Sequence, residues 1–251
     1  MLGLKQVLRR IPGLRPTYRY LRAKRELLIH GKRSPEVVFA DIFRGNKFGG
    51  TESASGPGSE LSQTRVVADE LPAILRKWDV RTMLDIPCGD FHWMKHVNLE
   101  GIDYFGADIV SELIEKNKAL ETVNIHFRQL NMIEDKLPAV DLMFCRDCLV
   151  HLSFNDALLA LRNICNSGSR YLFTTTFTGH QHNRDIITGQ WRPLNLEAAP
   201  FLFPPPLMVI NEGCTEEEGR FADKSLGMWR VSEIDEHLRG LPDQGPEGTL
   251  R

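Results

Sequence analysis

Five short apolar runs, spaced by helical patterns or polar turns, dominate the middle of the chain: TMLDIPC (82–88), YFGADIV (104–110), NIHFRQL (124–130), VDLMFCR (140–146) and RYLFTTTF (170–177). Between them, SELIEKNKAL (111–120) and SFNDALLALRNIC (153–165) repeat apolar residues at helical spacing, and each opens on a serine read as an N-cap. Such alternation predicts an α/β fold, a mostly parallel sheet with helices on both faces, because parallel neighbours need a crossover between them. The fourth run is apolar throughout, as expected of a strand buried on both faces. Upstream, Leu61, Val66, Val67, Leu71, Ile74, Leu75 and Trp78 recur at helical spacing. Two late runs, PLMVI (206–210) and SLGMWRV (225–231), are expected to pair as an antiparallel edge, and no internal repeat is visible.

Composition sharpens this reading. At 251 residues, with 42% hydrophobic and 25% charged residues, the chain suits one globular domain with trimmings. The expected organisation is a basic helical extension (1–45), a Gly/Ser-rich loop (46–60) that is a surface connector or a ligand lid, a main domain (61–240) and a flexible tail (241–251). The net charge of −2 is uneven. Residues 1–33 hold ten Lys/Arg and one acid, a balance of +9, whereas the rest sums to −11. A head of that kind packs on the body, rests on an anionic membrane surface or serves RNA through phosphate contacts; the net charge of the whole chain does not advertise nucleic-acid binding, which is the unfavoured partner. No run approaches the roughly 20 apolar residues of a membrane span. Five cysteines, an odd number, read as free thiols in a reducing compartment, so a cytoplasmic location is expected.

In an open parallel sheet, ligands sit beyond the carboxyl ends of the strands where strand order reverses. The first run exits into Asp85-Ile86-Pro87-Cys88-Gly89-Asp90, where a glycine lets the backbone approach a ligand closely. The second exits at Asp108, whose carboxylate can accept from both hydroxyls of a ribose or cap the following helix. The third exits at Asn131, placed to read an adenine edge against Met132 and Ile133, or to serve its own turn. The fourth exits at Arg146-Asp147, with His151 one turn on. The absence of G-x-G-x-x-G weakens a dinucleotide-dehydrogenase reading.

With DIPCGD, YFGADIV, RQLNM and VDLMFCRDCLVHLS in this order, the region from about 60 to 231 resembles the class I S-adenosylmethionine-dependent methyltransferases. The resemblance implies a Rossmann-like, seven-stranded, mostly parallel sheet closed by a C-terminal antiparallel hairpin, with S-adenosyl-L-methionine as cofactor. It implies Asp85 and Gly89 at the methionine end, Asp108 at the ribose, Asn131 and Met132 at the adenine, and Pro87, Cys88, Ile109 and Arg146 among the cofactor contacts. The sequence departs from the family pattern where three alternate glycines are usual and Pro87, Gly89 and Phe91 stand instead. Proline has a fixed φ and no N–H, so the turn has its own shape.

A hydroxyl acceptor needs a general base during attack. His151 oriented by Asp147 is the expected pair, with Asp147 alone or His180 as alternatives. A divalent cation held by Asp147, His151, His180 and His182 is a less favoured reading. Cys145-x-x-Cys148-x-x-His151 lacks the second thiolate pair of a zinc site. His180, Asn183 and Trp191 are expected on the acceptor side, with Trp191 offering a stacking face and Trp229 a core position. The loop at 52–64 and the segment 183–201 also resemble a bacterial subgroup associated with cell-surface polysaccharide and glycolipid synthesis, which implies a sugar hydroxyl as acceptor. The alternatives are N-methylation of a small molecule, RNA methylation, or a non-catalytic binding protein on a degenerate methyltransferase fold.

Overall fold

The computed structural model describes residues 33–240. The basic head, except Arg33, and the expected tail at 241–251 lie outside the described residues. Seven strands form one sheet: β1 (Thr82–Asp85), β2 (Asp103–Asp108), β3 (Ile125–Gln129), β4 (Leu142–Cys145), β5 (Tyr171–Phe177), β6 (Met208–Asn211) and β7 (Lys224–Arg230). Their order across the sheet is β3-β2-β1-β4-β5-β7-β6. The first five are mutually parallel, and β7 runs antiparallel between β5 and β6. The two late apolar runs therefore pair as expected. Strand order reverses between β1 and β4, which opens a crevice beyond their carboxyl ends.

The period of two along each central strand sorts its side chains onto two cores. Leu142 and Phe144 join Val67, Leu71, Ile74 and Leu75 of α2 (Leu61–Lys77) on one face. Met143 and Cys145 join Ala157, Ala160, Leu161 and Ile164 of α4 (Phe154–Asn166) and Ile234 of α5 (Val231–Gly240) on the other. All four residues of β4 are buried, so a continuously apolar strand is the physical requirement. Trp229 is fully buried and its indole N–H donates to the Pro204 carbonyl, a core role.

Two local expectations change. The run 82–88 yields a strand of only four residues, because Pro87 has no N–H to offer a ladder. Ile86 N–H still reaches the Phe144 carbonyl and Cys88 N–H the Ala107 carbonyl, one on each side of the proline. Ser111 is not a cap: it is the first residue of α3 (Ser111–Asn117), Val110 holds the N-cap position, and the Ser111 hydroxyl turns to Glu112. Ser153 does cap α4, accepting from Asp156 N–H at 3.1 Å.

Ahead of the sheet, α1 (Pro35–Arg44) starts at Ser34 with proline in its first turn and buries Ala40 and Ile42. Arg44 pairs with Glu112 of α3, and Val38 and Ile42 pack against Gly189, so α1 is docked on the body. No helix among the described residues is long and apolar enough to cross a membrane.

Candidate active site

The carboxyl ends of β1, β2 and β4 open into one cleft of about 2540 Å³, covered by α1, the loop at 46–59 and the segment after β5. Asp85, Pro87, Cys88, Gly89, Asp108, Ile109, Asn131, Met132, Arg146, Asp147, His151, His180 and Trp191 all line it. Among the expected site residues, Asn183 alone does not.

The turn after β1 is held by its own hydrogen bonds. Gly89 has φ +56°, a left-handed conformation that glycine adopts without penalty. Its N–H donates to Asp108 Oδ2 at 3.1 Å, and its carbonyl accepts from Asn117 at 2.8 Å. A side chain at Gly89 would meet Ser55 Oγ at 2.0 Å, so the 46–59 loop lies directly on this turn. Asp108 Oδ1 accepts from Val110 N–H at 2.9 Å. Burial pushes the Asp108 carboxyl up to about 6 against the pull of the Val110 and Gly89 amides. Asp85 is also buried; it accepts from Tyr104 Oη at 2.6 Å. Burial raises it to about 7, with the tyrosine bond opposing and the Asp108 charge adding. Burial also pushes the Cys88 thiol up, so it lines the cleft as a neutral group.

Asn131 departs from its expected role. Its amide oxygen accepts from Ile133 N–H at 2.9 Å and its amide nitrogen donates to Glu134, so the side chain serves its own turn. Met132 keeps the apolar position beside it and is buried.

On the other flank of the crevice, Asp147 has φ +53° and receives Lys224 Nζ at 2.6 Å, with Arg146 at 3.4 Å. Burial acts to raise its carboxyl, but the Lys224 and Arg146 charges outweigh that and hold it at about 2. Arg146 in turn donates to Glu212 at 2.6 and 3.1 Å and to the Gly58 carbonyl at 2.9 Å, and stands over the Trp93 ring. The guanidinium expected at the cofactor is thus engaged by a buried carboxylate and by the loop.

Asp147 does not orient His151, contrary to expectation. His151 Nδ1 bonds the Gln190 carbonyl at 2.9 Å. A carbonyl only accepts, so Nδ1 carries the proton in the neutral ring and Nε2 holds the lone pair. Burial lowers the imidazole from its ordinary value, opposed by the Gln190 bond and the Asp147 charge. His180 sits on Asp223 at 3.2 Å, and Trp191 makes T-shaped ring contacts with Phe221 and Phe177 at the cleft wall. Asn183 is spent inside its own segment: it donates to the Asn195 and Ala199 carbonyls and accepts from Asn195 N–H. No group of three or more His, Cys, Asp or Glu among the described residues is placed to hold a metal ion.

Lys224, Glu212 and Phe48 escape a strand-exit reading. An antiparallel strand presents its first residue where parallel strands present their last, and Lys224 at the start of β7 stands opposite Phe177 at the end of β5. Glu212 follows β6, which is antiparallel to β7 and so ends at the same edge. The available sequence signal was a lone lysine opening an apolar run, since such residues are buried only when paired.

The strand order, the antiparallel β7 and the cleft at the β1/β4 reversal define a Rossmann-like fold of the class I methyltransferase type. Solved structures of that type superpose on the chain. The Burkholderia thailandensis 1,6-didemethyltoxoflavin-N1-methyltransferase, bound to 1,6-didemethyltoxoflavin and S-adenosylhomocysteine, matches with a TM-score of 0.59 at 14% identity, over 79% of this chain and 91% of that one. Human N-acetylserotonin methyltransferase in complex with S-adenosylmethionine matches at 0.55 and 13%, over 86% and 67%. The methyltransferase domain of bacterial CtHen1 matches at 0.50 and 13%, over 68% and 100%. No family model matches the sequence, and no curated protein matches it.

Proposed function

We propose that the protein is an S-adenosylmethionine-dependent methyltransferase that methylates a sugar hydroxyl in a glycan or glycolipid precursor. The observation that carries the reading is one cleft in which Asp85, Gly89 and Asp108 line one part and a neutral, carbonyl-oriented His151 lines another. The donor set fits the cofactor. Asp108 accepts the Gly89 and Val110 amides on different oxygens and lines the cleft where a ribose hydroxyl would meet it, while Ile109, Met132 and Ile133 provide an apolar wall for a purine. Asp85 and Gly89 would hold the amino-acid end. S-adenosylmethionine, when bound, supplies an electrophilic methyl group on a sulfonium.

The chain's own residues then do the positioning and the proton handling. His151 Nε2 takes the proton of the attacking hydroxyl, which its lowered pKa allows because the ring is neutral at pH 7. Asp147, paired with Lys224, stays ionised and places a fixed negative charge near the imidazolium that forms. Trp191 offers its face to the acceptor ring. The cleft exceeds the few hundred to a thousand Å³ of an ordinary ligand site, which leaves room for cofactor and acceptor together.

Calorimetry with S-adenosylhomocysteine tests the cofactor half: binding to the intact protein and its loss in Asp108→Ala are expected, and no binding to the intact protein refutes the reading. A tritiated-methyl assay across nucleotide sugars, lipid-linked glycans and RNA tests the acceptor; label in RNA alone overturns the sugar. The head is proposed to hold the enzyme at an anionic membrane surface, where roughly 1 kcal/mol per basic residue is available. Equal sedimentation with anionic liposomes after removal of residues 1–33 would dismiss that role.

A further inference from the structure

The loop between α1 and α2 touches both halves of the cleft. On the cofactor side, Ser53 Oγ and Ala54 N–H both donate to Asp90, each at 2.8 Å, and Ser53 is 2% exposed. Asp90 directly follows Gly89, and Ser55 lies over that glycine. Further along, the Gly58 carbonyl accepts from Arg146. On the acceptor side, the Phe48 ring lies 4.8 Å from the His151 ring, centroid to centroid, at 42°. The loop folds back over this phenylalanine at Gly56, with φ +100°, where an added side-chain carbon would sit 3.0 Å from Phe48 Cβ.

We propose that Phe48 is a positioning residue for His151, and that the loop which delivers it is anchored on the cofactor-side turn through Asp90; the inference rests on the methyl-transfer reading above. Two groups fix the imidazole. The Gln190 carbonyl sets its hydrogen bond and therefore its tautomer, and Phe48 covers the ring and restricts its rotation. The covering ring also keeps water from that side of the base. Because Asp90 adjoins the turn at Gly89, the same loop links the cofactor side of the cleft to the base.

The charged groups around His151 are Asp147 after β4, Lys224 at the start of β7 and Arg192 from the segment after β5. Asp156 of α4 lines the same cleft but is bonded by the Thr188 hydroxyl, and Lys47 precedes Phe48 in the loop. None of these changes when Phe48 is replaced, so the substitution isolates the cover.

The test uses Phe48→Ala and Phe48→Leu in the full chain, without ligand and in turnover. The His151 ring signal, assigned by its loss in His151→Gln, is titrated by NMR in the ligand-free protein. Uncovering the ring is expected to raise the His151 pKa towards 6.5 in Phe48→Ala and to move the acid limb of the pH–rate profile with it. The value of kcat should fall roughly tenfold, the scale of a modest misplacement of a reacting group, with the cofactor KM little changed. Phe48→Leu, which keeps an apolar cover, should recover most of both. An unmoved titration and kcat in Phe48→Ala, or a Leu variant no better than the Ala one, overturns the proposal. Full turnover by His151→Gln alongside a shifted titration removes the general-base reading and leaves the Phe48 contact standing.

Discussion

Replacing Asp85 with Asn is expected to make the protein more stable at pH 8, even though the residue sits at the heart of the site. Asp85 is 3% exposed, and it accepts from the Tyr104 hydroxyl. Burial, opposed by that bond, raises its pKa from 3.8 to about 7. A group whose folded pKa is raised binds more protons in the folded state between the two values, so stability falls as pH rises through that window. The advantage of the neutral carboxyl is complete below about 3.8 and gone above about 7. Converting the two values gives about 4 kcal/mol as an upper figure for the charge penalty at pH 8. Asn keeps an oxygen for Tyr104 and carries no charge. Urea unfolding at pH 5 and pH 8 measures the effect: the native protein should lose stability between the two, and Asp85→Asn should lose less and overtake it at pH 8. If Asp85→Asn is the less stable protein at pH 8, with an unchanged pH slope, the buried-charge reasoning is refuted. The same variant should bind S-adenosylhomocysteine more weakly, a stability–function trade expected where a buried charge serves a ligand.

Three further outcomes follow from single contacts. Glu212→Gln leaves buried Arg146 and Lys224 short of a counter-charge and should cost about 3 kcal/mol, read as a drop in the urea midpoint; a change below about 1 kcal/mol contradicts the ion network. Gly89→Ala and Gly101→Ala both place a side chain at positive φ, at a cost of roughly 1 kcal/mol. Only the former meets Ser55, so it alone should weaken S-adenosylhomocysteine binding by calorimetry. Ser153→Ala should cost about 1 kcal/mol as a lost cap, while Ser111→Ala should stay within roughly 0.5 kcal/mol in the same thermal-unfolding assay.

The sheet was legible because its strands are short apolar runs whose two-residue period has one solution in a parallel layer. Positions at strand exits were legible for the same reason: Asp85 and Asp108 end β1 and β2, and Gly89 lies in the turn just after β1. What their side chains do was less so. Asn131 and Asn183 have the chemistry to read a ligand, but backbone groups two to sixteen residues away claim both amides. The Asp147–His151 pair looked natural at a spacing of four. With a left-handed residue at Asp147 and a short 3₁₀ turn at Leu149–His151, the two stay close enough to feel each other's charge, but Lys224 and the Gln190 carbonyl take their hydrogen bonds.

The sequence by itself determined the layer architecture, the antiparallel edge and the end of the sheet where a ligand must sit, since periodicity and strand exits are local properties of the chain. Only the tertiary structure decided which charges pair and what orients His151. Lys224 reaches Asp147 across 77 residues, and Arg146 reaches Glu212 across 66, because β7 runs against its neighbour β5. The Coulomb and hydrogen-bond energies that select such partners depend on distance in space, which no spacing along the chain encodes.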